Sequence, residues 1–179
     1  TVRDSGDMDY CYLIDLWNVA TGEVVWTYGS HGVSTWFFGF GQRGTLFAAR
    51  EGGRAAVMRL DTQEELRVAG PCIELAIGPD EKTFAYITQC NTVRIERIEG
   101  DDLQSVVQGP EGYVNHLTYS RDSRRLAIGC RGLPPCGAIP DRYVRIWDVV
   151  SGEERHALEF GSDKTRFAAE SYGADFAFS

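Results

Sequence analysis

No apolar run in this chain approaches the roughly twenty residues that a helix needs to cross a bilayer, so no membrane insertion is expected. Basic runs are also missing, since none exceeds Arg124-Arg125, and the net charge is −8. Nucleic acids and acidic membranes both select for excess Lys and Arg, so neither is expected as a partner. Cysteine is sparse and odd in number, five in all, with no dense framework of pairs. This pattern fits buried thiols in a reducing, intracellular compartment, and a cytoplasmic location is expected. Cys130 and Cys136 flank a short Gly/Pro segment and could close a small disulfide loop or lend two metal ligands. No second Cys/His pair with zinc spacing accompanies them, so no metal is expected. H-E-x-x-H, G-x-S-x-G and the phosphate-binding P-loop are all missing, and the three histidines, His31, His116 and His156, are scattered. No catalytic residue and no cofactor is expected. No stretch sustains an apolar stripe of helical period over three turns. The chain opens on Thr1-Val2-Arg3 with no initiator Met, which reads as a piece of something longer or a processed chain.

What the sequence does have is 43% hydrophobic residues, a globular composition, arranged as a recurring unit. Ile14-Asp15-Leu16-Trp17-Asn18-Val19-Ala20-Thr21-Gly22-Glu23 matches Val144-Arg145-Ile146-Trp147-Asp148-Val149-Val150-Ser151-Gly152-Glu153. Weaker copies run from Ala56 to Glu64 and from Val93 to Asp101. Trp17, Met58, Glu96 and Trp147 align at steps of 41, 38 and 51 residues, the last lengthened by a Gly/Pro-rich insertion around Gly132 to Asp141. Upstream of each match lie two short β-rich segments joined by a turn. They are Ile73–Ile77 and Phe84–Ile87 around Gly78-Pro79-Asp80, Tyr113–Tyr119 and Leu126–Gly129 around Ser120–Arg124, and Val33–Phe38 and Leu46–Ala49 around Gly39–Gly44. Four short strands every forty residues or so predict an all-β fold, a β-propeller of four-stranded antiparallel blades with about four blades' worth of chain.

The Ile146-Trp147-Asp148-Val149 segment followed by Ser151-Gly152 resembles the Trp-Asp repeat family of β-propellers, and the resemblance covers nearly the whole chain. It implies partial blades at 1–28 and 165–179 and blades at about 33–69, 72–107 and 113–159. Trp17, Trp147 and Asp148 would be its structural repeat positions, with both tryptophans in the core. The family's Gly-His pair is approached only at Ser30-His31, so no blade assembles the family's His-centred hydrogen-bond network and apolar packing must hold the blades. The chain is either a window of a larger ring or a closed four-bladed ring whose ends share one blade. Members of the family usually bind other proteins without catalysing reactions. The resemblance therefore implies an interaction scaffold, as a complex subunit or a half-propeller dimer. The loops expected to meet partners carry His31, Arg50, Arg54, Asn91, Arg131 and Arg142, the last two flanking the insertion.

Two other functions remain open on the residues. A propeller could gate or position substrate for an enzyme elsewhere in a parent chain. Alternatively, Gly39-Phe40-Gly41-Gln42-Arg43-Gly44 matches G-x-G-x-x-G, the phosphate loop of a dinucleotide-binding α/β unit. Only Thr45 to Glu51 is left for the helix such a site requires, and in the repeat register the same glycines are simply a turn between strands.

Overall fold

The computed structural model describes residues 2–4, 12–29, 35–51, 53–90, 92–100, 103–107, 113–131 and 142–160. These residues form strands and turns with no helix, and accordingly no helix long and apolar enough to cross a membrane. The strands are β1 (Val2–Asp4), β2 (Tyr12–Asn18), β3 (Glu23–Tyr28), β4 (Thr35–Phe40), β5 (Leu46–Glu51), β6 (Arg54–Arg59) and β7 (Glu65–Ile77), followed by β8 (Thr83–Thr88), β9 (Val93–Arg97), β10 (Leu103–Val107), β11 (Tyr113–Tyr119), β12 (Arg125–Arg131), β13 (Arg142–Asp148) and β14 (Glu154–Phe160). Every pairing is antiparallel. β1–β3 make one sheet and β11–β14 a four-stranded meander, while β4–β10 form a single curled sheet of seven strands. The merger arises at β7. Its Glu65–Pro71 half pairs with β6 and its Cys72–Ile77 half pairs with β8, so one long strand belongs to two meanders. The chain is therefore described as four units: β1–β3, β4 to early β7, late β7 to β10, and β11–β14. The terminal strands expected within 165–179 lie outside the described residues.

The units share local structure that explains the sequence repeat. Three hairpin turns carry one hydrogen-bond pattern. Gly41 N–H donates to the Leu46 carbonyl and Gly44 N–H to the Gly41 carbonyl; Gly78 pairs with Thr83 and Glu81 with Gly78; Ser120 pairs with Arg125 and Ser123 with Ser120. The fourth residue of each turn is left-handed, with φ of 69° at Gly44, 57° at Glu81 and 59° at Ser123. Only Gly adopts this conformation without a steric cost, so the two side chains there need compensation from outside their own turn. Glu81 Oε1 accepts from Arg43 N–H at 2.9 Å and its other oxygen from the Thr45 hydroxyl; Ser123 Oγ accepts from Asp80 N–H at 2.9 Å. Each of these turns thus leans on the turn before it.

The turn after the aligned Trp is equally regular. Asn18 Oδ1 accepts from Ala20 and Thr21 N–H, and Asp148 Oδ1 from Val150 and Ser151 N–H. Gly22 and Gly152 close these turns at φ of 71° and 67°. The polar residue following each Trp is there because a short side-chain acceptor satisfies turn donors that the sheet cannot reach. Beside each aligned residue the ladder slips by one, between Leu16 and Trp17, Val57 and Met58, Leu103 and Ser105 opposite Glu96, and Ile146 and Trp147. One β-bulge recurs four times at the positions that the sequence aligns.

Strand alternation sends successive side chains to opposite faces, and three cores result, one between each pair of successive units. Ile14 and Leu16 of the first unit meet Phe47, Ala49, Ala56 and Met58 of the second. Leu46, Ala48, Ala55 and Val57 meet Phe84, Tyr86 and Ile98 of the third. Ala85, Ile87, Val93, Ile95 and Val107 meet Leu117, Tyr119, Leu126, Ile128 and Val149 of the fourth. A fully buried Phe47 or Phe84 is worth about 1.5–3 kcal/mol in transfer alone. Trp147 packs on the last core while its buried Nε1 has no hydrogen-bond partner. Trp17 departs from the expectation of a core residue and is 48% exposed. Its face is the one that Met58 and Trp147 turn toward the preceding unit, and among the described residues no unit precedes the first.

Candidate functional site

The hairpin linking β5 to β6 and the hairpin linking β12 to β13 occupy equivalent places in their units, and both carry arginines. Glu51 lies opposite Arg54 and Arg50 opposite Ala55 in the first hairpin; Arg131 lies directly opposite Arg142 in the second. Arg54 is exposed. Arg50 is half-buried, and its Nε is buried without a partner. It faces Cys72, whose thiol is pushed up to about 11 by burial and only partly restored by the Arg50 charge. Cys72 N–H donates to the Gly53 carbonyl at 2.6 Å, tying the β7 switch to the tip of the β5–β6 hairpin. Gly53 adopts φ of 81°, as a tight hairpin tip requires. His31 and Asn91 lie outside the described residues, as does the insertion between Arg131 and Arg142, including Cys136.

The second polar constellation joins two units. Glu74, on β7, is buried, and its Oε1 accepts from His116 Nδ1 at 2.8 Å and from Leu117 N–H at 3.1 Å, both on β11. Bulges make this contact. The β7–β8 ladder slips between Cys72 and Leu75, and the β11–β12 ladder between Val114 and His116. Elsewhere in the third unit, Tyr86 donates its hydroxyl to buried Glu96 at 2.7 Å. Burial, reinforced by the Glu96 bond, pushes the Tyr86 phenol up to about 12. Glu96 occupies the position where Trp17 and Trp147 stand in their units. Tyr119, beside Thr83 and Asp80, is likewise pushed well above the ordinary phenol range by burial. Both phenols are therefore neutral at neutral pH and neither can serve as a base there; Tyr86 donates to Glu96, whereas the buried Tyr119 hydroxyl has no hydrogen-bond partner among the described residues.

Two open clefts lie against this framework. One, of about 570 Å³, runs along β4, β7 and β11 and is lined by Phe40, Leu75, Ile77, Thr118 and Tyr119. The other, of about 640 Å³, lies at the turns of the second and third units and is lined by Arg43, Arg59, Lys82 and Arg97 with Asp80, Glu81 and Glu99. Its carboxylates are engaged: Asp80 caps Lys82 N–H, Glu81 braces the preceding turn, and Glu99 pairs with Arg59 at 2.9 Å. No group of three or more His, Cys, Asp or Glu converges to hold a metal among the described residues.

Of the sequence-predicted positions, the structure places Arg50 and Arg54 on one hairpin and brings Arg131 and Arg142 into register on another. Of Gly39–Gly44, Gly39 and Phe40 end β4 and Gly41–Gly44 form the turn into β5. Gly41 leaves room that a Cβ would take from the Glu81 carboxylate, and Gly44 supplies the left-handed residue. β5 follows directly, so the helix N-terminus that a dinucleotide pyrophosphate needs is not there. Glu153 lies in the turn before β14, whereas Glu154 opens β14 and pairs with Arg145 at 2.6 Å. The Glu74–His116 pair escapes sequence reading, although a lone Glu inside Cys72-Ile73-Glu74-Leu75-Ala76-Ile77 is the signal that could have pointed to it. A buried carboxylate in an apolar strand must have a partner. No protein-family model matches the chain, and no curated protein matches it in sequence.

Proposed function

We propose that the protein is a non-catalytic interaction scaffold whose units are blades of a Trp-Asp-type β-propeller. Its partner is another protein, docked through the loop end bearing Arg50, Arg54, Arg131 and Arg142. The observation that carries this reading is the direct cross-strand register of Arg131 with Arg142 at the mouth of an insertion, on a hairpin equivalent to that of Arg50 and Arg54. In a chain of net charge −8 these two hairpins carry four arginines, with Glu51 opposite Arg54 in the first. Guanidinium groups recognise carboxylates in paired geometry, so an acidic partner segment is the expected ligand. Packed units of this kind hold loops rigidly in place, and recognition on such scaffolds falls to the loops.

The test is quantitative capture of acidic-segment partners by the natural full-length protein, compared with a variant carrying Arg50→Glu, Arg54→Glu, Arg131→Glu and Arg142→Glu. The variant should keep its β-sheet circular dichroism and lose the specific partner, and the wild-type interaction should weaken with salt. Undiminished capture by the variant would refute this docking surface.

A further inference from the structure

The cleft at the turns of the second and third units departs from the repeat in one consistent way. In the first hairpin turns of the third and fourth units, Asp80 Oδ1 accepts from Lys82 N–H at 3.1 Å and Asp122 Oδ1 from Arg124 N–H at 3.0 Å. Arg43 takes that place in the second unit. After the aligned Trp, Asn18 and Asp148 cap the next turn, but Arg59 and Arg97 follow the aligned Met58 and Glu96. A short side-chain acceptor satisfies turn donors, and a guanidinium, which only donates, cannot. Three positions where sister units hold a capping acceptor thus carry arginine, and all three arginines line this one cleft of about 640 Å³. Lys82 joins them. Its carbonyl accepts from Ile98 N–H at 2.9 Å and Thr83 lies opposite Arg97, so Lys82 and Arg97 sit side by side where β8 begins and β9 ends. Arg59 is paired with Glu99. The side chains of Arg43, Lys82 and Arg97 make no hydrogen bond or ion pair among the described residues, whereas the cleft carboxylates of Asp80 and Glu81 are engaged by turn donors. Thr83 lines the same cleft, is 7% exposed, and its buried hydroxyl has no partner among the described residues.

We propose that this cleft binds the phosphoryl group of a phosphate ester, with Arg43, Lys82 and Arg97 as its cationic donors. A carboxylate offers two oxygens and one negative charge, which a single arginine can match in bidentate geometry. Three unengaged cations drawn from two units suit a phosphoryl group, with its three acceptor oxygens and a charge of about −1.5 to −2 at neutral pH. The cleft is far larger than inorganic phosphate, and half-buried Leu66 lends it an apolar wall, so the phosphoryl group arrives attached to an organic group. Because the turns lie at the strand ends opposite the hairpins of Arg50, Arg54, Arg131 and Arg142, this site is separate from the protein-docking surface proposed above and does not depend on it.

The test is isothermal titration calorimetry of the full chain with inorganic phosphate, phenyl phosphate, and a serine pentapeptide in phosphorylated and unphosphorylated form. At least one ester should bind more tightly than inorganic phosphate, the unphosphorylated peptide should not bind, and added salt should weaken the interaction. Tighter binding of phenyl phosphate would assign the phosphoryl group to a small ester, and tighter binding of the phosphopeptide to a protein segment; both outcomes support the site. Arg43→Gln and Arg97→Gln alter exposed side chains, so both variants should keep the β-sheet circular dichroism. Each should raise the ester Kd at least ~10-fold, the loss of one charge-assisted bond. The fourfold loop variant described above should bind the ester as wild type does, which separates failure of this site from failure of the docking surface. No binding of either ester, equal binding of the two peptide forms, or a Kd unchanged in both Arg43→Gln and Arg97→Gln would each overturn the proposal.

Discussion

Removing the Glu74 carboxylate is the sharpest probe of how the third and fourth units are joined. Glu74 holds His116 and the Leu117 amide through one oxygen, and Leu117 is itself 3% exposed. Glu74→Ala therefore strands a buried N–H, at a cost of about 1–3 kcal/mol. It also breaks a largely buried pair, for which loss of one partner costs about 3–5 kcal/mol in all. Glu74→Gln keeps an acceptor for Leu117 N–H and loses only the charge, so it should cost roughly 1–2 kcal/mol, in the range of a single charge-assisted bond. His116→Ala leaves the carboxylate with its backbone donor and should fall between the two. The assay is urea denaturation of the wild type, the three single variants and the Glu74→Ala/His116→Ala double variant, read by tryptophan fluorescence. Residues sharing one network are non-additive, with a coupling of about 1–3 kcal/mol expected from the cycle. A Glu74→Ala cost below about 1 kcal/mol, or a double variant equal to the sum of the singles, would refute the claim that this contact locks the two units.

Other consequences follow from the packing and the turns. Phe47, wholly buried and edge-on to Trp26 and Tyr28 at 6.0 and 5.8 Å, should cost about 3–5 kcal/mol when cut to Ala, measured by the same denaturation. The bonds from Ser151 and Val150 N–H hold the Asp148 carboxyl below the usual range. The stabilisation is therefore present above the unfolded carboxylate's ordinary pKa and lost as pH falls through the lowered folded value. Asp148→Ala should lower the melting temperature at neutral pH and make little difference in strong acid, while Asp148→Asn should be better tolerated, because Asn18 performs the same capping in the first unit. Cys90 is exposed and Cys72 buried with its thiol pushed up to about 11, so a thiol reagent followed by peptide mapping should label Cys90 in the native protein and Cys72 only after unfolding.

The turns and the repeat register were readable because they depend on local chemistry. An acceptor after Trp17 or Trp147 followed by Gly, or Gly-Pro-Asp between apolar alternations, specifies its own hydrogen bonds within a few residues. β1 was not read, since Val2–Asp4 has too few residues for alternation to register. Three outcomes depended on neighbours that a sequence does not name. Trp17 and Trp147 look alike in the chain, yet among the described residues only Trp147 packs against a neighbouring unit. Glu74 meets His116 only because two bulges, which leave no clear mark in composition, bring their strands to the right phase. Arg50 and Cys72 come together because β7 changes partners between Pro71 and Cys72, so that two meanders read as separate become one sheet.

The brace between turns has a consequence for how the molecule comes apart and assembles. Glu81 satisfies amide and hydroxyl donors of the turn before it, and Ser123 does the same one unit later, whereas Gly44 in the corresponding place has no side chain with which to reach back. Every such bond is between nearest neighbours, so the stability of the array is a sum of unit terms and adjacent couplings, as in a one-dimensional lattice. Amide exchange should then be graded along the chain, with the turn of the second unit protected only while the third stays closed upon it. During synthesis the amides of Arg43 and Asp80 emerge before the side chains that will cap them, so each completed unit secures its predecessor and the order of the chain becomes the order of consolidation.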